Sequence, residues 1–545
     1  EGQKFYLAGD SSFHFLPGDL LSITGRFSPV DDVSNIYAFS YSRYLKQKGI
    51  QYKILLMAEP TVKGYAKDYY AWFQELRHRL QEKTNVLFPD GQINAIFKAV
   101  GLGYKNDLHS ETKQLFSETG TIHLLAVSGL HMGAVFYIIL FILRTFRLNK
   151  KNSKLVVIPL LWSYACLTGL SPSVVRAAQI LTFIIIGEVF TKDYSPLNCI
   201  AASGLFTLLV DKYAIYSLSM QMSYAAYTGI IIFFPHLKEL PGKLPPLLSA
   251  IYSLLCISVA AQITTLPISA YYFHCFSITS LFINIIVVPL TSILLYVYLL
   301  LLALPLFISI KLVVVGNLLC RLMLFLLQHF HPFNWVLRDI YPSATLVILL
   351  YIFLFLFFYL MVGRKRYLFT PTLIVASLFI IYSSWHKFSI QNKQEVVIFH
   401  LYHERCILFN YMGYYIPIAQ PEKDHGQRQY MPYVYRHKLK RLEGHRGFTG
   451  TDLKFQDHTL TSPNTRIRLV DKLHCIVNSQ SNIWVIGENI CPERVISSDS
   501  LYPQTIILDG SNNHSTHRQW EMFCSNKGIL LRSTRQEGSI IISLQ

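Results

Sequence analysis

Two histidines and a serine, His123, Ser128 and His131, interrupt the apolar run that opens at Gly120. An ionisable group in hydrocarbon costs at least about 2.5–3.5 kcal/mol on insertion scales, so each needs a partner or a wet cavity. If 121–143 is one helix, the offset of eight puts the imidazoles within about 80° on its surface. They then line a polar passage, or they hydrogen-bond neighbouring helices. Arg176 follows a break at Ser171-Pro172-Ser173. A helix that starts there points N–H groups at an anion, and the guanidinium forks onto phosphate; the bland alternative is an arginine snorkelling to the interface. Gln221, Ser223, Gln262, Thr265 and Asn284 are neutral polar groups at mid-span, able to bind a sequence-indifferent strand or to lock helices together. Arg321 and Glu188 are a candidate ion pair. Near the C-terminus, Asp509, His514 and His517 combine a carboxylate with a His-x-x-His pair. They are weak metal candidates, since scattered surface histidines are the commoner case. No metal, cofactor or catalytic residue is expected.

The elements that hold these groups follow from composition. The chain has 545 residues, 52% hydrophobic and 15% charged, with a mean hydropathy of +0.34. Soluble domains average about 25% charged. The deficit is local: residues 120–385 hold 16 Lys/Arg and 5 Asp/Glu, against 14 and 13 in 1–119 and 19 and 14 in 386–545. An ordinary cytosolic enzyme and a disordered chain are both excluded. At about 20 apolar residues per crossing, about ten segments emerge, near 121–143, 155–170, 173–190, 196–210, 215–234, 247–271, 277–304, 312–330, 345–362 and 368–384. Pro267 and Pro289 interrupt two of them. If the first enters from outside, the inside loops carry twelve Lys/Arg and the outside loops only Lys212 and Arg338. That bias places both ends on the non-cytoplasmic side. The net charge of +17 is then largely a topology signal. The chain opens on Glu1 with no visible signal peptide, which predicts a trimmed N-terminus.

Short strands at Lys4–Ala8, Asp19–Phe27 and Gln51–Met57, with a helix at Tyr41–Lys48, suit a small β-barrel. An amphipathic stretch (Tyr70–Leu87) and a polar helical run (Asp107–Glu118) lead into the first span. Residues 386–545 read as an α/β or mainly β domain, with strands at Glu395–Leu401, Arg466–Val470, Ile483–Ile486, Thr505–Leu508 and Gly538–Leu544 and a helix at Ser515–Lys527. The basic cluster from Arg436 to Arg441 is a solvated face or, less commonly, a polyanion contact. Cys406, Cys475, Cys491 and Cys524 allow one or two disulfides if this domain is outside.

The run Gly120-Thr-Ile-His123-Leu-Leu-Ala-Val-Ser128-Gly129-Leu-His131-Met-Gly133 resembles, over fourteen positions, the signature that opens the membrane domain of the ComEC family. That family forms the inner-membrane DNA-uptake channel of natural competence. Leu167 to Ala177, Ser219-Met-Gln221-Met-Ser223, Val259 to Pro267 and Phe282-Ile-Asn284 to Pro289 resemble further family motifs in order. The resemblance covers residues 1–300 well and 301–385 by hydropathy.

What the resemblance implies is an α-helical polytopic membrane protein of about ten spans, with both soluble domains non-cytoplasmic. The domains are an OB-like β domain (1–69), amphipathic linker helices (70–119), a transmembrane competence domain (120–385) and a degenerate metallo-β-lactamase-like domain (386–545). It implies an inner-membrane channel for single-stranded DNA in transformation, with His123, Ser128, His131, Arg176, Gln221, Ser223, Gln262 and Asn284 along the DNA path. The partners implied are single-stranded DNA, membrane lipid, an external DNA-delivery protein and a cytoplasmic helicase or ATPase motor. No P-loop is present in this chain to supply the work. The family's H-x-H-x-D-H metal cluster and D-V-G-Q-G-D turn are absent, so nuclease activity is not expected. The competing readings are a metal-dependent membrane hydrolase acting through the C-terminal domain, and a small-solute carrier built on broken helices.

Overall fold

The structure is a computed structural model. It describes residues 4–8, 15, 18–30, 33–65, 69–147, 149–191, 194–239, 245–331, 335–337, 340–363, 366–391, 393–421, 424–442, 454–456, 458–472, 481–495 and 502–544. The chain divides into two compact units: Glu1–Ser28 with Gln47–Thr372, and Pro29–Lys46 with Leu373–Gln545.

In the N-terminal region, β1 (Lys4–Ala8), β2 (Asp19–Ser22), β3 (Gly25–Pro29), α1 (Tyr41–Gln47), β4 (Ile50–Leu56) and β5 (Thr61–Tyr65) follow in order. Among the described residues the strands pair as two small sheets, β1-β4-β3 and β2-β5, with β1 and β4 parallel. The stretch read as one strand over 19–27 is two, and β5 had no counterpart in the sequence reading.

Three helices come next: α2 (Tyr69–Leu87), α3 (Gly91–Leu102) and α4 (Ser110–Glu118). Asp90 caps α3, accepting from the N–H groups of Gln92 and Ile93, and Gly103 closes it at φ 69°. From Ile93 to Leu102 every residue of α3 is buried. Phe88 and Phe97 stack at 4.1 Å, and Phe97 lies 5.1 Å from the Tyr298 ring. These helices therefore belong to the core of the first unit.

Among the described residues ten helices follow, near the ten apolar segments: α5 (Gly129–Thr145), α6 (Lys150–Leu167), α7 (Pro172–Phe190), α8 (Pro196–Val210), α9 (Leu218–Glu239), α10 (Pro246–Phe273), α11 (Thr279–Ala303), α12 (Leu306–Phe330), α13 (Ala344–Gly363) and α14 (Phe369–Gln391). A short pair, β6 (Phe276–Ser277) and β7 (Val336–Leu337), lies among them. Among the described residues, six of the helices (α7 and α10 to α14) are long and apolar enough to cross a membrane, while α5 and α8 are apolar but shorter. Pro267 and Pro289 do not break α10 and α11, which run through them. Three residues before Pro267, the carbonyl of Thr264 accepts from the Tyr351 hydroxyl of α13 at 2.6 Å, which ties α13 to α10. Gly229 lets α9 close on α10, since a Cβ there meets Thr264 Oγ1 at 2.2 Å, as small residues do where membrane helices pack. Glu188 does not pair with Arg321; Lys154 Nζ holds it at 2.6 Å.

The rest of the second unit comprises β8 (Gln394–Ile398), β9 (Ile407–Tyr411), β10 (Tyr414–Ala419), α15 (Asp424–Arg436), β11 (Lys440–Arg441), β12 (Lys454–Gln456), β13 (Thr459–Thr461), β14 (Arg466–Val470), β15 (Ile483–Ile486), α16 (Pro492–Val495), β16 (Thr505–Leu508), α17 (His514–Lys527), β17 (Leu530–Ser533), α18 (Thr534–Glu537) and β18 (Ile540–Ser543). One sheet runs β11-β10-β9-β8-β18 and the other β12-β13-β14-β15-β16-β17, with β14 to β17 parallel. Strand alternation sorts the core. Val396 and Ile398 of β8 join Leu469, Val485 and Ile507 between the sheets. Val397 and Phe399 turn outward onto Tyr430 and Tyr433 of α15. On the far side Trp484, Ile506 and Leu508 pack against Trp520 of α17. The result is a four-layer helix–sheet–sheet–helix sandwich.

A polar site at the helix breaks of the bundle

The run Gly120–Gly133 is not one helix. A 3₁₀ turn over Ile122–Leu125 ends at Ala126, the chain extends through Ser128, and α5 starts at Gly129. This corrects the single-helix geometry. His123 lies exposed on the turn and His131 lies fully buried on α5, so they share no helical face. The backbone N–H of Ser128 donates to His131 Nδ1 at 3.1 Å. The Ala126 carbonyl lies 3.2 Å and Ser128 Oγ 3.3 Å from the same nitrogen, while Nε2 is buried without a partner among the described residues.

The second break forms as expected. Ser171 precedes α7 with Pro172 in its first turn, where a proline's missing N–H is no loss. Arg176 lies one turn in and is 5% exposed, so it does not snorkel. Its Nη2 donates to the hydroxyls of Ser219 and, at 3.3 Å, Ser223. Ser173 Oγ lies 3.2 Å from Ser219 Oγ. Arg176 Nε has no partner, and no ion pair to Arg176 occurs among the described residues. A buried charge without a counter-charge is costly, and an anion placed at this guanidinium would lower that cost.

The two breaks meet through α9. A Cβ on Gly129 lies 2.4 Å from the Tyr227 hydroxyl. Ser219, Ser223 and Tyr227 recur every four residues along one face of α9. Ser219 and Tyr227 were missed in the sequence, although that spacing was legible once the start of α9 is known. The other end of the run, Gly120, sits against Ser277 and Ser280, with its Cβ position 2.7 Å from Ser280 Cβ. Gln262 Nε2 donates to Ser280 Oγ at 3.3 Å, and Asn284 follows one turn later on α11. The amide oxygens of Gln262 and Asn284 are buried without partners. Gln221 stands apart, donating to the Ile215 carbonyl at 3.0 Å in an exposed setting. Thr265 turns back onto Ala261 O. Gln221, Ser223 and Asn284 lie in the first two turns of their helices rather than at mid-span.

In the second unit the metal candidates separate. Asp509 is fully occupied: Arg405 Nε donates to its Oδ2 at 2.7 Å and Ser511 Oγ to its Oδ1 at 2.5 Å. Burial raises the Asp509 carboxyl above its usual range against the pull of Arg405. Asp471 lies 4.0 Å from Arg405 Nη1 and 3.4 Å from His458 Nδ1. His514 is exposed and His517 buried. Among the described residues no three His, Cys, Asp or Glu side chains are grouped to hold a metal. Cys406, Cys491 and Cys524 are free thiols; Cys475 lies outside the described residues.

Fold and site together define a polytopic helical membrane protein with a buried cationic site at two helix breaks and a four-layer α/β domain. The profile of the family described as "Competence protein" matches residues 100–366, and that of the "ComEC C-terminal domain" matches 379–544. The chain belongs to the ComEC family of competence proteins. It is 26% identical over 276 residues to ComE operon protein 3 of Bacillus subtilis (strain 168), covering 50% of this chain and 34% of that protein. It is 24% identical over 277 residues to Recombination protein 2 of Haemophilus influenzae, covering 48% and 34%. It is 28% identical over 210 residues to the uncharacterized protein YcaI of Escherichia coli (strain K12), covering 36% and 27%. The chain thus spans about a third of the length of these relatives. No solved structure matches.

Proposed function

We propose that this chain takes part in DNA uptake and forms a passage for single-stranded DNA across the inner membrane, with both terminal regions non-cytoplasmic. The observation that carries the reading is Arg176: a buried guanidinium with hydroxyl partners and a spare N–H, at the start of one helix and beside the start of another. Helix N-termini and a guanidinium both favour phosphate oxygens. His131 adds a buried ring nitrogen that lacks a partner among the described residues. Contacts of this kind go to the backbone and carry no sequence preference. Arg176→Ala or His131→Ala abolishes uptake of labelled DNA while membrane insertion persists, and Arg176→Lys keeps a fraction. Normal uptake in both alanine variants overturns the assignment. An external DNA-delivery protein and a cytoplasmic motor complete the proposal.

The four-layer sandwich of the second unit supports reading it as a metallo-β-lactamase-like domain. We propose that it works without metal, because the Arg405 guanidinium sits where its carboxylates converge. Stoichiometric zinc or manganese in the purified chain, together with strand cleavage, contradicts this. The five short strands described between residues 4 and 65 support an OB-like N-terminal domain.

A further inference from the structure

Segment 33–46 is part of the second unit and is tightly anchored there. Asn35 Nδ2 donates to the His400 carbonyl at 2.8 Å, and the His400 N–H donates to Asn35 Oδ1 at 2.7 Å. Ile36 N–H donates to Ser539 Oγ at 2.8 Å. Directly after this anchor Tyr37 takes a left-handed backbone, φ 61°, uncommon for a bulky residue and a mark of functional strain. The Arg436 guanidinium lies 4.3 Å from the centre of the Tyr37 ring, whose other neighbours are His437 at 5.7 Å and Tyr433 at 6.4 Å. Exposed aromatics continue from it. Phe39 is 73% exposed and packs at 6.0 Å on Tyr44, which stacks at 6.0 Å on Tyr41.

The segment to which Arg436 belongs is cationic. Neither 33–46 nor 425–442 contains an Asp or Glu, and both carry Lys and Arg. In the second stretch His437 and Leu439 turn inward, while Lys438, Lys440 and Arg441 are exposed. The basic run from 436 to 441 thus begins at a cation seated on the Tyr37 ring.

We propose that this face of the second unit, Tyr37, Phe39 and Tyr41 with Arg436, Lys438 and Arg441, binds single-stranded nucleic acid. Its bases stack on the rings and its phosphates meet the cations, the pairing that sequence-indifferent strand binding uses. A lipid surface fits less well: Leu45, the aliphatic residue of α1, is buried, and α1 has only seven residues. This site goes beyond the passage proposed for the bundle, and its test does not depend on that passage.

The test uses the full chain in phosphatidylcholine nanodiscs and a fluorescent oligothymidylate followed by anisotropy. Phe39→Ala/Tyr41→Ala weakens binding at least fivefold, as expected for losing stacked bases. Lys438→Gln/Arg441→Gln weakens it and lowers the salt dependence, by about 0.7 in the log–log slope for each phosphate no longer neutralised. A duplex of equal length competes at least tenfold less well than the single strand. Uptake of labelled DNA by Arg176→Ala is scored beside anisotropy of the surface variants, so failure of the bundle reading shows in uptake and failure of this one in anisotropy. Wild-type affinity in both surface variants overturns the proposal, as does equal competition by duplex. It is also overturned if the aromatic variant loses attachment to anionic vesicles while keeping the oligonucleotide.

Discussion

A guanidinium surrounded by hydroxyls and a glycine pressed against a tyrosine are features of single residues, and each makes a test possible. Gly129 permits α5 to start beneath Tyr227, since an added Cβ lies 2.4 Å from the hydroxyl oxygen but 3.3 Å from the ring carbon that bears it. Gly129→Ala is therefore expected to lower DNA uptake severalfold at unchanged membrane insertion. Tyr227→Phe in the same chain restores part of it, because the atom that clashes is gone. Loss without rescue points to backbone strain at the break instead.

His437 offers a second test at the same scale. It is 2% exposed and donates from Nδ1 to the Tyr433 carbonyl at 2.9 Å. Burial pulls its pKa from 6.5 down to about 4, with Lys393 and Arg436 acting in the same direction and Glu395 against it. The unfolded chain thus takes up a proton before the folded one. Stability that is intact above about pH 6.5 is lost as pH falls toward 4, by about 3 kcal/mol in all. Burial lowers His400 and His517 too, adding to the loss. Urea unfolding of the second unit, followed through the buried Trp484 and Trp520, shows a midpoint that drops from pH 7 to 4.5. His437→Asn flattens the drop.

At the scale of elements, α3 is the most informative. Gly101 faces Tyr298, whose ring atoms lie 2.3 Å from an added Cβ. The ring has little freedom, because Thr84 Oγ1 holds its hydroxyl at 2.8 Å and Phe97 packs beside it. Gly101→Ala is expected to cost about 1–3 kcal/mol through overpacking, read as a lower Tm in detergent. Gly91→Ala, with open space around the added atom, leaves Tm unchanged. The helix itself had no counterpart in the sequence reading, although Asp90, Gly103 and the apolar residues between them signal a helix, and residues 70–119 read as linkers because the neighbouring α2 and α4 are polar. The parallel strands β14, β15 and β16 were legible residue for residue, being short apolar runs between polar loops. The break before α5 was not. Ser128 caps α5 there, answered by His131 three residues on, but the contact of Gly129 with Tyr227, nearly a hundred residues away, is announced by no local pattern. Arg405 stayed hidden for the same reason, since its partner Asp509 lies 104 residues on.

For the whole molecule, the ten helical positions followed from hydropathy, but the division into units did not. Residues 29–46 sit in sequence between two parts of the first unit and in space with the second. Asn35 exchanges hydrogen bonds with His400, two residues past β8, and Gly538 of the second unit lies against Ser34 so closely that a Cβ would meet the Ser34 carbonyl oxygen at 2.2 Å. A separately produced 386–545 fragment is accordingly expected to be less stable than the same domain in the full chain. A peptide of residues 29–46 added in trans raises its melting temperature, while a peptide with Asn35→Ala does so less. An unshifted melting curve with either peptide contradicts this docking.

That arrangement also sets an order of events during biosynthesis. The ribosome releases residues 29–46 long before the sandwich that receives them exists, and all the intervening helices must be inserted in the meantime. The early segment must wait unpaired outside the bilayer until the last third of the polypeptide emerges. Completion of the second unit therefore acts as a late checkpoint, passed only by chains that have delivered both ends to the same compartment.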